Sequence, residues 1–317
     1  MAWGLGERKV IFRAGEASHT RWRFPALPLI RYGGSTMPPG PRTTFYPREH
    51  GATAMLLTPF VAAAVLARSF RWQEVAGLGA IAAAYAMKEP LVVLGRRRGQ
   101  WLGQAFGTWP AELRAAATWL VAEAPIAGVS ALALLLTGPW MDYAAIFAGA
   151  AGFFGFAFWI NLRNRQRNPL FQVACAIALT STSLVAALSA TGRFPGWCWP
   201  LWLLLAAQAT GGIFTVHARL DAMLALRKTA QGAPAEVSTA RRSAIIACVA
   251  MVLGSVAAVV VHRPIVGAGL LFAACGYAWD LRRQRDAAEL KTPLTRVGQR
   301  SLALSLVYGV MIILGLM

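Results

Sequence analysis

The sequence predicts an all-α fold, namely a polytopic transmembrane helix bundle with about nine spans. Hydrophobic residues make up 57% of the chain and charged residues 14%, whereas about 25% of the residues in soluble domains are charged. The apolar residues come in blocks of roughly 20, the helix length that crosses a hydrocarbon core about 30 Å thick. Blocks such as 131–136 and 247–261 lack the polar face that soluble helices carry.

Nine apolar blocks follow one another, separated by short stretches that are mostly basic. Each block is long enough to cross a bilayer as a helix, and no soluble domain interrupts the series. The predicted spans are residues 51–68, 74–94, 115–136, 142–160, 169–190, 198–217, 243–261, 264–279 and 301–317.

The amino-terminal residues differ in composition from everything that follows. Residues 1–44 mix arginines with Gly and Pro, and they contain no apolar run long enough for a secretory signal. We expect a basic, disordered arm at 1–44 and a single nine-helix transmembrane domain at 45–317. Met37 is an alternative natural start, in which case the residues before it belong to an extended gene model.

The distribution of basic residues predicts the orientation. All but four of the 31 Lys and Arg residues lie on the side of the amino terminus, the exceptions being Arg68, Arg71, Arg193 and Arg263. Because cytoplasmic loops are enriched in Lys and Arg, we expect a cytoplasmic amino terminus in a bacterial inner membrane. Topology and anionic headgroups explain the net charge of +18 without a nucleic-acid partner.

The four cysteines predict neither a metal site nor a disulfide framework. They occur in or beside predicted spans, without CxxC or Cys/His spacing, which is typical of small apolar packing residues. They are Cys175, Cys198, Cys248 and Cys275.

A charged triplet lies at the mouth of the first span. Arg48, Glu49 and His50 follow Pro47, which suits a helix start because it has no N–H to lose there. One interpretation is an interfacial anchor that fixes the helix end. The other is a ligand site in which His50 acts as acid, base or ligand, because histidine changes its charge near neutral pH.

The same segment resembles a known family. Pro-Arg-Glu-His-Gly-Ala at 47–52, then Met-Leu-Leu at 55–57 and Pro59, is similar to the opening of the YwiC-like family of bacterial membrane proteins. The resemblance extends from about residue 46 to the carboxyl terminus.

The architecture is similar to the UbiA superfamily of intramembrane prenyltransferases, which also have nine helices and polar loops after spans two and six. The resemblance implies a prenyl diphosphate held through Mg²⁺ between two aspartate-rich motifs. Here the first position has Lys88 and Glu89 without an aspartate, and the second has His217 four residues before Asp221. Two carboxylates beside basic residues form a poor Mg²⁺ cage, so the sequence predicts no metal site, and the cofactor is unknown.

These positions define the candidate site. The candidate catalytic groups are Glu49, His50, Glu89, His217 and Asp221. The basic side chains would contact an anion directly, since arginine pairs bidentately with phosphate. Asn161 and Asn164 share a helix face and would line a cytoplasmic cavity, and a solvated turn is the other interpretation. These candidate binding residues are Arg48, Lys88, Arg96, Arg97, Arg98, Asn161, Asn164 and Lys228. For the three arginines, a stop-transfer cluster on a solvated loop is an equally good interpretation.

Three functional classes stay open on the sequence. The first is an enzyme, or a degenerate enzyme, that acts on or binds a membrane lipid, either an isoprenoid or another anionic amphiphile, at a cytoplasm-facing cavity. The second is a transporter that uses Glu123, a carboxylate within the third predicted span, as an intramembrane switch. The third is a non-catalytic membrane scaffold. The sequence does not predict the oligomeric state.

Overall fold

A computed structural model describes residues 50–163, 168–230 and 239–317. Every regular element in these ranges is a helix, which confirms the all-α prediction. The helices are α1 (His50–Ala67), α2 (Trp72–Ala86), α3 (Lys88–Arg96), α4 (Ala111–Thr137), α5 (Trp140–Leu162), α6 (Pro169–Thr180), α7 (Thr182–Thr191), α8 (Cys198–Ala230), α9 (Thr239–Val260), α10 (Pro264–Arg283), α11 (Ala287–Leu290) and α12 (Leu294–Leu316). The predicted arm at 1–44 lies outside the described residues.

The nine predicted spans correspond to nine apolar helical segments in the described part of the chain. Eight are long and apolar enough to cross a membrane, and Gly51–Ala67 is apolar but shorter. Two of the eight are pairs of helices, since α2 and α3 form Trp72–Arg96 while α6 and α7 form Pro169–Thr191. The chain is therefore a multi-pass membrane protein.

The two composite spans are interrupted where polar groups or proline disturb the helix. Met87 separates α2 from α3, three residues before Pro90, which has no N–H to donate. Ser181 separates α6 from α7, and its Oγ donates to the carbonyl of Ala178 (2.7 Å). Thr182 Oγ1 donates to the carbonyl of Leu56 in α1 (2.8 Å), so the second break is also a point of contact between spans.

Contacts near the helix ends define two ends of the bundle. At one end Arg96 Nη2 donates to the carbonyl of Asn161 (2.7 Å), and we call this the basic end because most of the basic residues that the structure describes lie there. At the opposite end Ser69 Oγ donates to the carbonyl of Ala190 (3.1 Å) and Arg263 Nη1 to that of Gly315 (3.3 Å).

The core lies between α1, α7, α8, α10 and α12. Small side chains such as Ala63, Ala187 and Ala273 are completely buried there, which lets the helices approach closely. Tyr308 is equally buried, and its hydroxyl donates to the carbonyl of Leu204 (2.9 Å). This side of the protein is tightly packed.

Helices α4 and α5 lie at the periphery. Only 6% of the apolar window of each is buried, compared with 61% for Pro169–Thr191. The two helices therefore present most of their surface to the membrane or to something bound within it.

Candidate functional site

The three arginines 96–98 lie at the end of α3, and the first two of them make contacts with other helices. Arg96 joins α3 to α5 through the Asn161 carbonyl (2.7 Å), and Arg97 joins α3 to α4 through an ion pair with Glu112 (2.9 Å). Arg98 is exposed, and no side-chain bond of it is found among the described residues. Two of the three predicted anion-binding arginines therefore hold helices together.

The loop after Arg98 is folded back on itself by aromatic residues. Trp101 Nε1 donates to the carbonyl of Leu94 (2.9 Å) and Trp109 Nε1 to that of Gln104 (3.1 Å). The two indole rings lie 5.5 Å apart between centroids. Tryptophan is favoured at membrane interfaces, so this loop suits the headgroup level at the basic end.

Lys88 and Glu89 begin α3 within a span. Lys88 Nζ lies 3.9 Å from Glu89 Oε1, and both side chains are partly exposed. Lys88 precedes Arg96, the last residue of α3, by roughly 12 Å along the helix at about 1.5 Å per residue. The pair therefore lies within the candidate span Trp72–Arg96 rather than on a loop.

His217 and Asp221 lie on a single helix, as their spacing predicted. Helix α8 continues to Ala230, so residues four apart share a face. His217 Nε2 lies 2.9 Å from Oε1 of Gln172 on α6, and the tautomer of the imidazole decides which atom donates. Gln172 was not a sequence candidate, because nothing in the chain indicates that α6 packs against α8 at this level.

The remaining candidates are satisfied locally or lie outside the described residues. Asn161 is buried, and its Nδ2 donates to the Ala157 carbonyl of the preceding turn (2.9 Å). Its side chain therefore does not line an open cavity. Arg48, Glu49 and Asn164 lie outside the described residues; for His50 and Lys228 the backbone is described but not the side chain.

The donor set at the basic end does not fit Mg²⁺. That ion favours six oxygen ligands, usually including carboxylates, whereas Glu89 has Lys88 beside it and a histidine replaces the other expected carboxylate at 217. Across the part of the chain that the structure describes, no group of three or more His, Cys, Asp or Glu residues could hold a metal ion.

A partly exposed ionic cluster at the basic end was not predicted from the sequence. Glu289 of α11 accepts hydrogen bonds from Arg283 (2.5 Å) at the end of α10 and from Arg300 (2.7 Å) of α12, so the three helices are joined there. The hydrogen bond from Arg300 is the largest reason why the pKa of Glu289 lies below its ordinary value. Arg219 of α8 is 4% exposed, and its Nη2 donates to the carbonyls of Glu289 (2.6 Å) and Thr292 (3.3 Å).

Helix α5 is fixed at both ends and open in the middle. Near its start the buried Tyr143 hydroxyl lies 3.0 Å from Ser189 Oγ of α7, and near its end Asn161 accepts from Arg96. Residues 148–152 are all exposed. Because successive residues turn by about 100°, five consecutive residues cover every side of the helix. The stretch is therefore loosely packed on all sides, and a Cβ added at Gly149 or Gly152 would meet nothing within 4 Å.

The open stretch includes the face that is buried at both ends. Tyr143, Ala150 and Asn161 lie on one stripe of α5, since their spacings of 7 and 11 residues are close to whole turns. Tyr143 is 1% and Asn161 8% exposed, whereas Ala150 is exposed. We call the space between Ala150 and the bundle the α5 gap. Toward the basic end, Phe156 of α5 packs edge-on against Phe171 of α6 (6.2 Å), next to Gln172.

Two grooves among the described residues lie at the end opposite the basic end. One of about 490 Å³ separates α1 from α2, and one of about 320 Å³ lies between the ends of α8, α9, α10 and α12. Both are lined mainly by apolar side chains. A cytoplasm-facing polar cavity stays a prediction.

The first part of the helix bundle is similar to a known family. The model of the family described as YwiC-like protein matches residues 46–188. We call this part of the chain the YwiC-like segment. The match begins where the charged triplet predicted it, and residues 189–317 lie outside it. Comparisons with curated proteins and with solved structures give no match, so the UbiA-like arrangement stays a prediction.

The candidate site combines the YwiC-like segment with the helices beyond it. Lys88, Glu89, Gln172 and the α5 gap belong to the YwiC-like segment, whereas His217 and Asp221 belong to α8. The hydrogen bond between Gln172 and His217 links the two parts.

Proposed function

We propose that this protein binds a membrane amphiphile, an isoprenoid or a phosphorylated lipid, with its apolar chain in the α5 gap and its head toward the basic end. The observation that carries the proposal is the exposure of Ala150 on a stripe that is buried at both ends. Space at this depth of a bilayer is filled by hydrocarbon, since water gains no hydrogen bonds from alanine and glycine.

Polar side chains lie between the α5 gap and the basic end. The contact of Phe156 with Phe171 leads to Gln172 and from there to His217. Asp221 is one turn further along α8, and a carboxylate at this spacing can orient an imidazole. An anionic head would be neutralised by cations without a metal ion, because the carboxylates available do not suit Mg²⁺. The proposal therefore concerns binding and does not require prenyl transfer.

The distribution of Lys and Arg supports a matching orientation. We place the basic end, and with it the amino terminus, in the cytoplasm of a bacterial inner membrane, as the enrichment of Lys and Arg in cytoplasmic loops favours. The amphiphile would then present its head to the cytoplasm.

Filling the gap tests the proposal on a single helix. Ala150→Leu adds a side chain on the inward stripe, and Ala148→Leu adds the same side chain roughly 160° away around the helix. Native mass spectrometry of the detergent-solubilised protein, with lipid extraction, measures the retained amphiphile. We expect Ala150→Leu to retain about tenfold less, since overpacking typically costs about 1–3 kcal/mol, and Ala148→Leu to match the wild type. Equal retention by both variants would contradict the proposal.

A second function is favoured by Glu123. This residue lies near the middle of the 27-residue α4, on the same face as Ala116 and Ser130. That face packs against α2, where Ser130 Oγ would lie 3.2 Å from a Cβ at Gly79. Among the described residues, no hydrogen bond or ion pair of the Glu123 carboxylate is found.

A carboxylate at this depth costs about 3 kcal/mol on insertion scales when charged. We propose as the alternative that Glu123 accepts and releases a proton during transport. Proton flux into liposomes, followed with an internal pH dye, should be abolished by Glu123→Gln and unchanged by Ala150→Leu. Wild-type flux equal to that of empty liposomes would exclude this alternative.

A further inference from the structure

The groove between α1 and α2 has the size and lining of a site for a hydrocarbon chain. Its volume of about 490 Å³ lies within the range of about 300–1,000 Å³ that is typical of ligand sites. Phe60, Val65, Val75 and Leu78 form much of its wall. The groove lies at the opposite end of the bundle, so it is separate from the basic end and its polar residues.

The mouth of this groove carries a positive charge. Arg68 is exposed, and in the described part of the chain no hydrogen bond or ion pair of its guanidinium is found. The one carboxylate of the lining, Glu74, is buried and accepts the backbone N–H of Arg71 (2.9 Å). Ser69 Oγ bonds to the Ala190 carbonyl, which fixes the turn that carries Arg68.

Arg68 occupies an unfavourable backbone conformation. Its φ is +51°, in the left-handed region, and the only other non-glycine residue with positive φ in the described ranges is His262 (+59°). Helices often end with a residue in this conformation, but that residue is usually glycine, which has no Cβ to clash. Replacing Arg68 by glycine would therefore relieve backbone strain while it removes the guanidinium.

We propose that the α1–α2 groove binds one phospholipid with an anionic headgroup, whose phosphate pairs with Arg68 while an acyl chain lies along the apolar walls. Arginine binds phosphate oxygens bidentately, and the mouth lies at the ends of two spans, the level at which headgroups lie. Phe70, 82% exposed beside Arg68, adds apolar surface at that level.

Arg68→Gly separates a ligand role from a structural one. Glycine relieves the backbone strain, so the thermal midpoint should equal or exceed that of the wild type. Native mass spectrometry with phosphatidylglycerol or diacylglycerol added to the detergent should show about tenfold less phosphatidylglycerol bound to the variant, the loss of one charge-assisted contact. Binding of diacylglycerol, which has acyl chains but no phosphate, should stay the same. His262→Gly is the matched control, since it relieves the same strain away from this groove and should leave both lipids unaffected.

Further experiments distinguish a lipid phosphate from free phosphate and test whether the effect depends on the particular substitution. Val65→Trp fills the groove and should remove both lipids, and inorganic phosphate alone should not displace phosphatidylglycerol. Arg68→Asn, which tolerates positive φ, repeats the test with a second side chain. Wild-type phosphatidylglycerol binding by both Arg68 variants, equal loss of both lipids, displacement by phosphate or a lowered thermal midpoint of Arg68→Gly would each overturn the proposal.

Discussion

Replacing Gly267 by alanine should destabilise the crossing of α9 and α10. A Cβ at this position would lie 2.8 Å from the backbone oxygen of Ser255 and 3.0 Å from Cγ2 of Val259. The first partner belongs to the main chain, which cannot rotate away as a side chain can. The same crossing is held by a hydrogen bond from Ser255 Oγ to the Gly267 carbonyl (2.7 Å), which separation of the helices would weaken.

The magnitude follows from three opposing contributions. Overpacking costs about 1–3 kcal/mol, and weakening a hydrogen bond between membrane helices costs about 0.6 kcal/mol on average. Alanine regains about 1 kcal/mol through its higher helix propensity. We therefore expect a net loss of about 0.5–2.5 kcal/mol in the free energy of unfolding, or roughly 1–10 °C in the thermal midpoint.

Thermal unfolding in detergent, followed by tryptophan fluorescence, measures this loss. Gly128→Ala in α4 is the matched control, because a Cβ there meets nothing within 4 Å. That variant should be as stable as the wild type or slightly more so. If Gly267→Ala were as stable as Gly128→Ala, the close approach of α9 and α10 would not be present in the folded protein.

Three further predictions concern single side chains. The hydrogen bond from Arg300 lowers the pKa of Glu289, so the ionised carboxylate stabilises the folded state above its ordinary pKa of 4.5, and this stability is lost as the pH falls through the lowered pKa. Glu289→Gln should therefore be less stable than the wild type at pH 7. In a series of thermal melts, the difference between the two should vanish on acidification. Tyr143→Phe removes the hydrogen bond with Ser189 and should lower the free energy of unfolding by about 0.5–1.5 kcal/mol. Hydrogen exchange at the start of α5 should become faster, and unchanged exchange there would show that this bond does not hold α5 to α7. Arg98→Gln should leave the free energy of unfolding within about 0.5 kcal/mol of the wild type, since no side-chain bond of Arg98 is found among the described residues, and a larger loss in chemical denaturation would reveal a structural role.

The arrangement of spans was predictable because hydrophobicity alone decides it. Nine apolar blocks predicted nine segments, and each is helical in the described part of the chain. The ends were less accurate, since α8 continues from the predicted limit at 217 to Ala230. Composition does not signal how far a helix continues past its most apolar stretch. Nor does it signal the interruptions at Met87 and Ser181, which depend on Pro90 and on local hydrogen bonding.

The candidate site was predictable only where its residues are neighbours in the chain. The spacing of His217 and Asp221 predicted one face of one helix, and α8 provides it. The partners of Arg97 and Glu289 lie on other elements or across irregular loops, so their spacing carries no period that sequence analysis could detect. Arginines that a sequence offers as anion ligands can therefore be engaged in ion pairs once the chain folds.

The uneven packing of the bundle indicates where a ligand can act. Helices α8, α9, α10 and α12 cross at close contacts, such as Gly211 against Tyr277 and Gly267 against Ser255, which leave no room for another molecule. Helix α5 is attached to α7 and α3 near its ends, and its residues 148–152 are all exposed. A rigid core that holds a loosely packed helix at two points can admit and release a hydrocarbon chain without disturbing its own contacts, because only the middle of α5 has to move. This division of the bundle favours reversible lipid binding over a purely structural role, for which a tightly packed α5 would be more stable.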